Sequence, residues 1–235
     1  PAVIAQSVGG GGGIALSGAT GASFGSFAGG SGGNVDIATD MSALISTAGL
    51  GSIGLLAQSI GNGGGIVGSA TGTPVGSNSY GAAAAAISSN GGAIDISNKG
   101  SITTSGRHAH GILAQSIGGG GGLILGERPT AGATFRAGVG SGGAVDIVNT
   151  GAINATGAGA HGIVAQSLGG GGVFSADGAA LPGNPGTTGR AGNAGGTGAG
   201  GRIDIVNQAA VRATGAGGIG SWAQRRGSGA SGAIT

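Results

Sequence analysis

Residues 144–172 read AVDIVNTGAINATGAGAHGIVAQSLGGGG, three short apolar segments separated by glycine-containing breaks and closed by four glycines. The first segment, Val145 to Asn149, alternates apolar and polar residues, which indicates a strand with one buried face. The second, Ala152 to Ala155, alternates in the same way. The third, His161 to Leu168, is apolar on both faces, which indicates a strand covered on both sides. No window has the spacing of an amphipathic helix, so the stretch predicts β-structure.

These segments recur through the 235 residues of the chain. The tetrad Ala-Gln-Ser-apolar, decayed to Ala-Gln-Arg-Arg in its last copy, begins at Ala5, Ala57, Ala114, Ala165 and Ala223. A second marker, apolar-Asp-Ile, follows a Gly-Gly pair and contains the repeat aspartates Asp36, Asp95, Asp146 and Asp204. Each aspartate precedes the next tetrad glutamine by 22, 20, 20 and 20 positions, whereas each glutamine precedes the next aspartate by 30, 37, 31 and 38. A constant block therefore alternates with a variable one.

Short strands that recur with tight corners are typical of a parallel β-helix, in which each strand pairs with its counterpart one repeat away. We therefore predict an all-β fold, a single β-solenoid over residues 1–235 with about four and a half repeats, glycine-rich corners and variable excursions. The approximate repeat units are 1–31, 32–90, 91–141, 142–199 and 200–235.

Equivalent polar residues of successive repeats should then lie in columns. One column contains Asn98, Asn149 and Asn207, with Thr39 as its odd member. Another contains Gln6, Gln58, Gln115, Gln166 and Gln224. Stacked amides hydrogen-bond along such columns, so we predict two ladders. The alternative is that these are polar residues at strand ends without mutual bonds.

The chain contains 64 glycines, and ordering them is costly because glycine has the most backbone freedom to lose. We predict that the glycine runs form the sharp corner after the third strand, where positive φ and close backbone approach are needed. Burial and ladder bonds shared between neighbouring repeats must offset the entropic cost.

The variable blocks are less regular. One contains two possible strands, around Leu123 to Leu125 and Ala133 to Val139, whereas the block after Leu168 contains little that resembles a strand. Each variable block is either a second, irregular layer of the stack or an excursion that leaves it. The differences in length favour excursions in at least two of the four.

Composition excludes several classes of function. Charged residues make up 7% of the chain, the formal net charge is +2, and there is no cysteine. The sequence has no stripe of Lys and Arg residues of the kind that binds a phosphate backbone, so nucleic-acid binding is not expected. No stretch has the eighteen or so apolar residues of a membrane span. Disulfides and thiolate metal sites are excluded.

We expect no catalytic, cofactor or metal site. The repeat aspartates should form one outward column, either cation ligands or a carbohydrate-contacting edge or, as we favour, a solvated face that discourages lateral pairing. His110 and His161 occupy a repeat position that elsewhere holds Pro1, Ile53 and Ile219, which indicates a structural role. His108, Ser116 and Ser167 complete no Ser-His-Asp arrangement, and the glycine runs lack the Lys-Ser/Thr of a phosphate loop.

The phrases "HGIxAQSxGGGG" and "GGxVDIxNxGxIxATG" resemble the glycine-rich repeats of bacterial type V autotransporter passenger domains, over nearly the whole chain. The resemblance implies a right-handed parallel β-helix that is exported through the outer membrane by a C-terminal barrel and displayed at the cell surface. Such passengers are mostly adhesins, autoaggregation factors or stalks. We expect this chain to be a piece of a longer passenger.

We therefore predict a non-enzymatic extracellular or cell-surface module, a stalk or adhesin part whose partners are copies of itself or ligands on host or cell surfaces. A first alternative is a fibre subunit that stacks end to end as a homo-oligomer. A remote alternative is an ice- or glycan-binding solenoid, which needs a flat face of regularly spaced threonines. Only Thr103, Thr156 and Thr214 suggest such a face.

Overall fold

The structure is a computed structural model that describes residues 1–16, 23–24, 29–68, 79–80, 88–125, 134–135, 138–175, 197–229 and 232–235. Every regular element in these parts of the chain is a β-strand, so the predicted all-β class is confirmed. The strands form five sheets whose pairs are all parallel. Within the same ranges, no helix is long and apolar enough to cross a membrane.

The constant block of each repeat contributes one strand to each of three sheets. The tetrad sheet contains β1 (Val3–Val8), β6 (Leu55–Ile60), β11 (Ile112–Ile117), β16 (Ile163–Leu168) and β20 (Ser221–Arg226). The aspartate sheet contains β4 (Val35–Thr39), β9 (Ile94–Asn98), β14 (Val145–Asn149) and β18 (Ile203–Asn207). The short-strand sheet contains β5 (Leu44–Thr47), β10 (Ser101–Thr104), β15 (Ile153–Ala155) and β19 (Val211–Ala213).

The variable block contributes two further sheets. The glycine sheet contains β2 (Gly12–Leu16), β7 (Gly64–Gly68), β12 (Gly121–Leu125) and β17 (Gly172–Ser175). The two-residue sheet contains β3 (Ser23–Phe24), β8 (Ser79–Tyr80) and β13 (Thr134–Phe135). The block after Leu168, expected to contain little that resembles a strand, contributes β17. Pairing with β12 supplies its backbone hydrogen bonds, which the local sequence does not predict.

The two strands predicted inside the variable block are present with different bounds. Strand β12 begins two glycines before Leu123, because Gly121 and Gly122 already pair with Gly64 and Gly65. Strand β13 covers only two residues of the predicted segment from Ala133 to Val139. Val139 forms isolated bridges instead, and residues 133 and 136–137 lie outside the described residues.

Every strand pairs with its counterpart in register, so like residues of successive repeats lie side by side. Gln58, for example, pairs with Gln6 on one side and with Gln115 on the other. One sequence repeat is therefore one structural layer. A second, irregular layer between constant blocks is excluded, because consecutive constant blocks hydrogen-bond to each other directly.

The three sheets of the constant block share one hydrophobic core, which we call the central core. Its buried members are Val35, Ile37, Leu55, Ala57, Ile94, Ile96, Ile102, Ile112, Ala114, Val145, Ile147, Ile153, Ile163, Ala165 and Ile203. In the aspartate and short-strand sheets they are the inward-facing residues of strands such as β9, in which buried and more exposed positions alternate. The tetrad strands contribute one of their two buried faces. The period-two pattern of the sequence thus fills this core.

The tetrad sheet has a second buried face, which explains why its strands are apolar on both sides. Leu56, Leu113 and Val164 pack with Ile66 and Leu123 of the glycine sheet in a second cluster. All six residues of β6, β11 and β16 are buried. A strand covered on both faces loses its polar-apolar alternation.

The glycine run after each tetrad turns the chain and then starts the next strand. Gly119 and Gly120 have φ values of 84° and 95°, a region that only glycine occupies readily. The next two glycines open β12. A Cβ on Gly118 would overlap the backbone of Gly140, where the variable block returns. The departing and returning segments meet at this point, as expected of an excursion.

The C-terminal residues form a further pairing that the sequence analysis missed. Ile234 bridges to Ile203, and the amide of Thr235 donates to the carbonyl of Ile203 at 3.1 Å. The chain therefore passes from β20 to the edge of the aspartate sheet in only a few residues. The motif Gly-Ala-Ile at 232–234 repeats Gly-Ala-Ile at 92–94 and was the available signal.

Candidate functional site: inter-repeat ladders and the outward aspartate row

The five tetrad glutamines form one continuous hydrogen-bonded ladder. The Nε2 of each glutamine donates to the Oε1 of the next, at distances of 2.6, 2.6, 3.1 and 2.7 Å for the successive pairs Gln6–Gln58, Gln58–Gln115, Gln115–Gln166 and Gln166–Gln224. The three middle members are fully buried on the face shared with the glycine sheet. Burying an amide is costly unless it is bonded, so each glutamine depends on its neighbours.

The asparagine column is a second ladder, and it also holds a corner. Asn98 Nδ2 donates to Asn149 Oδ1 at 2.7 Å, and Asn149 Nδ2 donates to Asn207 Oδ1 at 2.7 Å. Thr39 occupies the end of the column and donates its hydroxyl to Asn98 Oδ1 at 2.6 Å. Each asparagine amide also donates to the carbonyl two residues later, Gly100 in the case of Asn98. The side chain thereby ties the repeats together and fixes the turn after its own strand.

A third ladder, of serine and glycine, was not foreseen. Ser59 Oγ donates to the carbonyl of Gly33 and accepts from the amide of Gly92, both at 2.8 Å. Ser116 makes the same two bonds with Gly92 and Gly143. The sequence analysis considered Ser116 and Ser167 only as tetrad residues that complete no Ser-His-Asp arrangement. The available signal was the nearly constant offset between each Gly-Gly pair and the following tetrad serine.

The serine ladder joins the end of the tetrad sheet to the start of the aspartate sheet. It brings together segments 24 to 34 residues apart. Glycine is required beside the serine, because a Cβ on Gly91 would come within 2.5 Å of Ser116 Oγ. This contact explains the first glycine of the pair, and the second is needed because a Cβ on Gly92 would overlap the backbone of Gly33.

The repeat aspartates lie in one row on the outward face of the aspartate sheet. Asp36, Asp95, Asp146 and Asp204 pair in register. Arg202 spans the last two, with nitrogen-oxygen distances of 2.7 Å to Asp146 and 2.9 Å to Asp204. Desolvation, and then the charges of Asp146 and Asp36, raise the pKa of Asp95, while Arg202 opposes the rise. The row is a solvent-facing line of like charges, one per repeat.

The histidines lie at the corner that precedes the tetrad sheet. The rings of His110 and His161 stack with centroids 4.9 Å apart and an interplanar angle of 14°. The Nδ1 of His110 accepts the amide of His161 at 3.0 Å, and the Nδ1 of His161 accepts the amide of Ile219 at 3.1 Å. Burial lowers the pKa of His110 well below its usual value, and the charges of His161 and His108 act in the same direction.

No metal-binding geometry accompanies these side chains in the described ranges, where no group of three or more His, Cys, Asp or Glu residues is arranged to hold an ion. His108 has a φ of 55° at a position where the neighbouring repeats have glycine. The threonines do not form a row: Thr103 pairs with Asn154, whereas Thr156 lies in the following corner.

Comparison of the chain with family models, with curated proteins and with solved structures finds no match.

Proposed function

We propose that the chain is a right-handed parallel β-helix that serves as a non-enzymatic extracellular module, a stalk or adhesive part of a type V autotransporter passenger. The observation that carries the proposal is the in-register pairing of like residues through all five tetrad strands. Each repeat adds one layer and one copy of the outward aspartate. Such an arrangement suits a rod that presents the same surface many times.

The distribution of polar groups supports a structural rather than a chemical role for the buried residues. The glutamine, asparagine and serine side chains donate and accept between neighbouring repeats. Their hydrogen-bonding capacity is used to hold layers together, which rigidifies a packed interior when every member is satisfied.

The outward faces of the aspartate and short-strand sheets supply the candidate contact surface. Asp36 and Asp95 on the first face, and Thr103 and Asn154 on the second, are exposed. The aspartate recurs once per layer, and the second position holds a polar side chain in each layer, so contacts that are weak for one repeat would add up by multivalency along the rod.

The handedness and closure of the β-helix are tested by a crystal structure of the chain. The proposal expects the path through the tetrad, glycine, two-residue, aspartate and short-strand sheets to advance in a right-handed sense. A left-handed path, or flat sheets that do not surround the central core, would contradict it.

The adhesive role is tested by attachment. Beads carrying many copies of the chain, and the free chain, are applied to glycans, matrix proteins and cells of the producing strain. The proposal expects the beads to attach far more strongly than the free chain. A matched variant with Asp36→Asn, Asp95→Asn, Thr103→Ala and Asn154→Ala should fold and lose attachment if these faces make the contacts.

Failure of the beads to attach to any surface or to each other would leave only the stalk role. That role is tested by protease treatment of intact producing cells, which should release the protein. A protein that is protected until the cells are lysed contradicts the surface location. Light scattering of the free chain separates the fibre alternative, because end-to-end stacking makes the apparent mass grow with concentration.

A further inference from the structure

We propose that the stacked His110–His161 pair is an acid-sensitive contact between consecutive repeats. It stabilises the corner before the tetrad sheet when both rings are neutral, and the contact is lost when the rings are protonated. The role belongs to this chain's own two layers and not to the repeat in general. The equivalent position holds Ile53 in the preceding layer and Ile219 in the following one.

The hydrogen bonds at the corner require neutral imidazoles. A neutral ring has one nitrogen that accepts, whereas both nitrogens of a charged ring donate. Here the accepting nitrogen is Nδ1 in both residues, because His110 Nδ1 faces the amide of His161 and His161 Nδ1 faces the amide of Ile219. Protonation at Nδ1 removes both bonds between layers and sets two donors against each other.

The surroundings of the pair do not stabilise a charged ring. His110 is fully buried, and Ile53 at the equivalent position belongs to the second hydrophobic cluster. The strands that form that cluster with it, namely β6, β7, β11, β12 and β16, contain no charged residue. The edge of the Trp222 ring system meets the His161 ring, with centroids 5.7 Å apart and planes at 82°.

Among the described residues, no charged group near the corner favours protonation of the His110 and His161 rings. His108 precedes the pair on the same corner, and its charge acts on both rings with the same sign as their own. Arg107 is its chain neighbour, and Arg212 lies exposed on β19. Arg225 and Arg226 of β20 pair with Ser167 and Leu168, at the far end of that strand. The four equivalent corners contain no acidic residue.

The direction of the pH effect follows from these contacts. Burial lowers the pKa of both histidines in the folded chain, so the unfolded chain binds more protons as the pH falls below about 6.5. The folded state is therefore fully favoured above that pH and loses stability below it. Each histidine that titrates only on unfolding raises the unfolding equilibrium constant by up to about tenfold per pH unit.

The carboxylates cannot produce the same effect in this window. Asp95 has a raised pKa in the folded chain, so its protonation favours the folded state as the pH falls. Ordinary aspartates titrate near pH 4, below the range in question. Burial also lowers the pKa of the Pro1 amino group, which gives an effect of the same sign, so the histidine contribution is the difference in pH slope between the parent chain and a variant without the two histidines.

The test is urea unfolding at pH 7.5, 6.5, 5.5 and 5.0, followed by circular dichroism and by the fluorescence of Trp222, the only tryptophan. The parent chain is compared with His110→Ile, His161→Ile and the double variant, each of which installs the residue that neighbouring layers already use. The control is His108→Gly, which installs the residue found at positions 51, 159 and 217 and keeps the pair intact.

We expect the parent chain and His108→Gly to lose stability as the pH falls, His110→Ile to lose most of this dependence, and the double variant to keep only the smaller slope of the remaining groups, the Pro1 amino group among them. Equal pH slopes in the parent chain and the double variant would overturn the proposal. A second readout uses the native chain: on acidification, the amides of His161 and Ile219, which donate to the rings, should lose protection from hydrogen exchange, corrected for the intrinsic pH dependence of exchange, before the amide of Gly111, which donates to the His161 carbonyl. Equal loss of protection at the three amides would also contradict it.

Discussion

The hydroxyl of Ser116 donates to the carbonyl of Gly92 and lies 2.8 Å from it, although 24 residues separate the two in the chain. The same hydroxyl accepts the amide of Gly143 in the next layer at 2.8 Å. One small side chain therefore connects two sheets and two repeats. This relationship shows why the Gly-Gly pair and the tetrad serine recur together.

Replacing Ser116 by alanine should lower the free energy of unfolding by more than the loss of one exposed hydroxyl group would. The substitution leaves the Gly92 carbonyl and the Gly143 amide without this partner at a half-buried site, which costs about 1–3 kcal/mol. Urea unfolding measures the loss. The matched control is Ser101→Ala on the exposed side of β10, for which we expect about 0.5 kcal/mol or less. Equal effects of the two substitutions would argue against the serine ladder.

Interrupting the glutamine ladder at its centre should cost more than shortening it at its end. Gln115→Leu removes the acceptor of Gln58 Nε2 and the donor to Gln166 Oε1, so two buried amides lose a bond, at a cost of about 2–5 kcal/mol. Gln6→Leu removes only one bond at a half-buried site, at a cost of about 1 kcal/mol. The free energies of unfolding decide between a ladder and independent polar residues, which would give similar values at both sites.

Two glycines with positive φ should respond very differently to alanine. Gly121 has a φ of 151°, and a Cβ there would overlap the carbonyl oxygen of Gly172 in the next layer. Gly217 has a φ of 74° with nothing within 4 Å of a Cβ. We expect Gly217→Ala to cost about 1 kcal/mol and Gly121→Ala to prevent cooperative folding. Circular dichroism and thermal unfolding report the difference, and a cooperative Gly121→Ala variant of parental stability would refute the close stacking of these glycines.

The last variable excursion should be dispensable for the central core. Only residues 227–233 separate the end of β20 from Ile234, which bridges to Ile203, and the first five of them make a short link in the sequence. Replacing residues 169–200 by the sequence of that link, Gly-Ser-Gly-Ala-Ser, removes β17, which is the edge strand of the glycine sheet, together with the bridge between Val139 and Thr197. We expect a β-rich chain that still unfolds cooperatively at a lower urea concentration. Loss of cooperative unfolding would show that the excursion is part of the core.

The constant block could be predicted from the sequence because its pattern has a direct physical meaning. Alternation predicts β14 with the bounds that the structure has, and apolar residues on both faces predict the doubly covered β16. The glutamine and asparagine columns followed from the repeat alone, because equivalent residues of successive repeats lie side by side when their strands pair in register. The repeat therefore predicts the parallel pairing of the strands.

The variable block and the serine ladder were harder to foresee, for different reasons. Strand β17 is held by pairing with β12, an interaction between distant segments that local propensity does not encode. Ser116 looked like any serine in a strand, because its partners, Gly92 and Gly143, offer only backbone atoms. The sequence placed His110 and His161 at equivalent positions, but the stacking of their rings and their bonds to backbone amides required the geometry of the corner.

The most direct measurement of in-register stacking is disulfide formation between introduced cysteines, since the chain has none of its own. Thr103 and Asn154 are paired on the outward face of neighbouring short strands, where adjacent strands lie about 4.8 Å apart, within the span of a disulfide. Ser46 and Asn154 lie two layers apart, beyond that span. Mild oxidation should cross-link the Thr103→Cys/Asn154→Cys chain intramolecularly and leave the Ser46→Cys/Asn154→Cys chain reduced. Equal cross-linking of both pairs, or of neither, would contradict the layered arrangement.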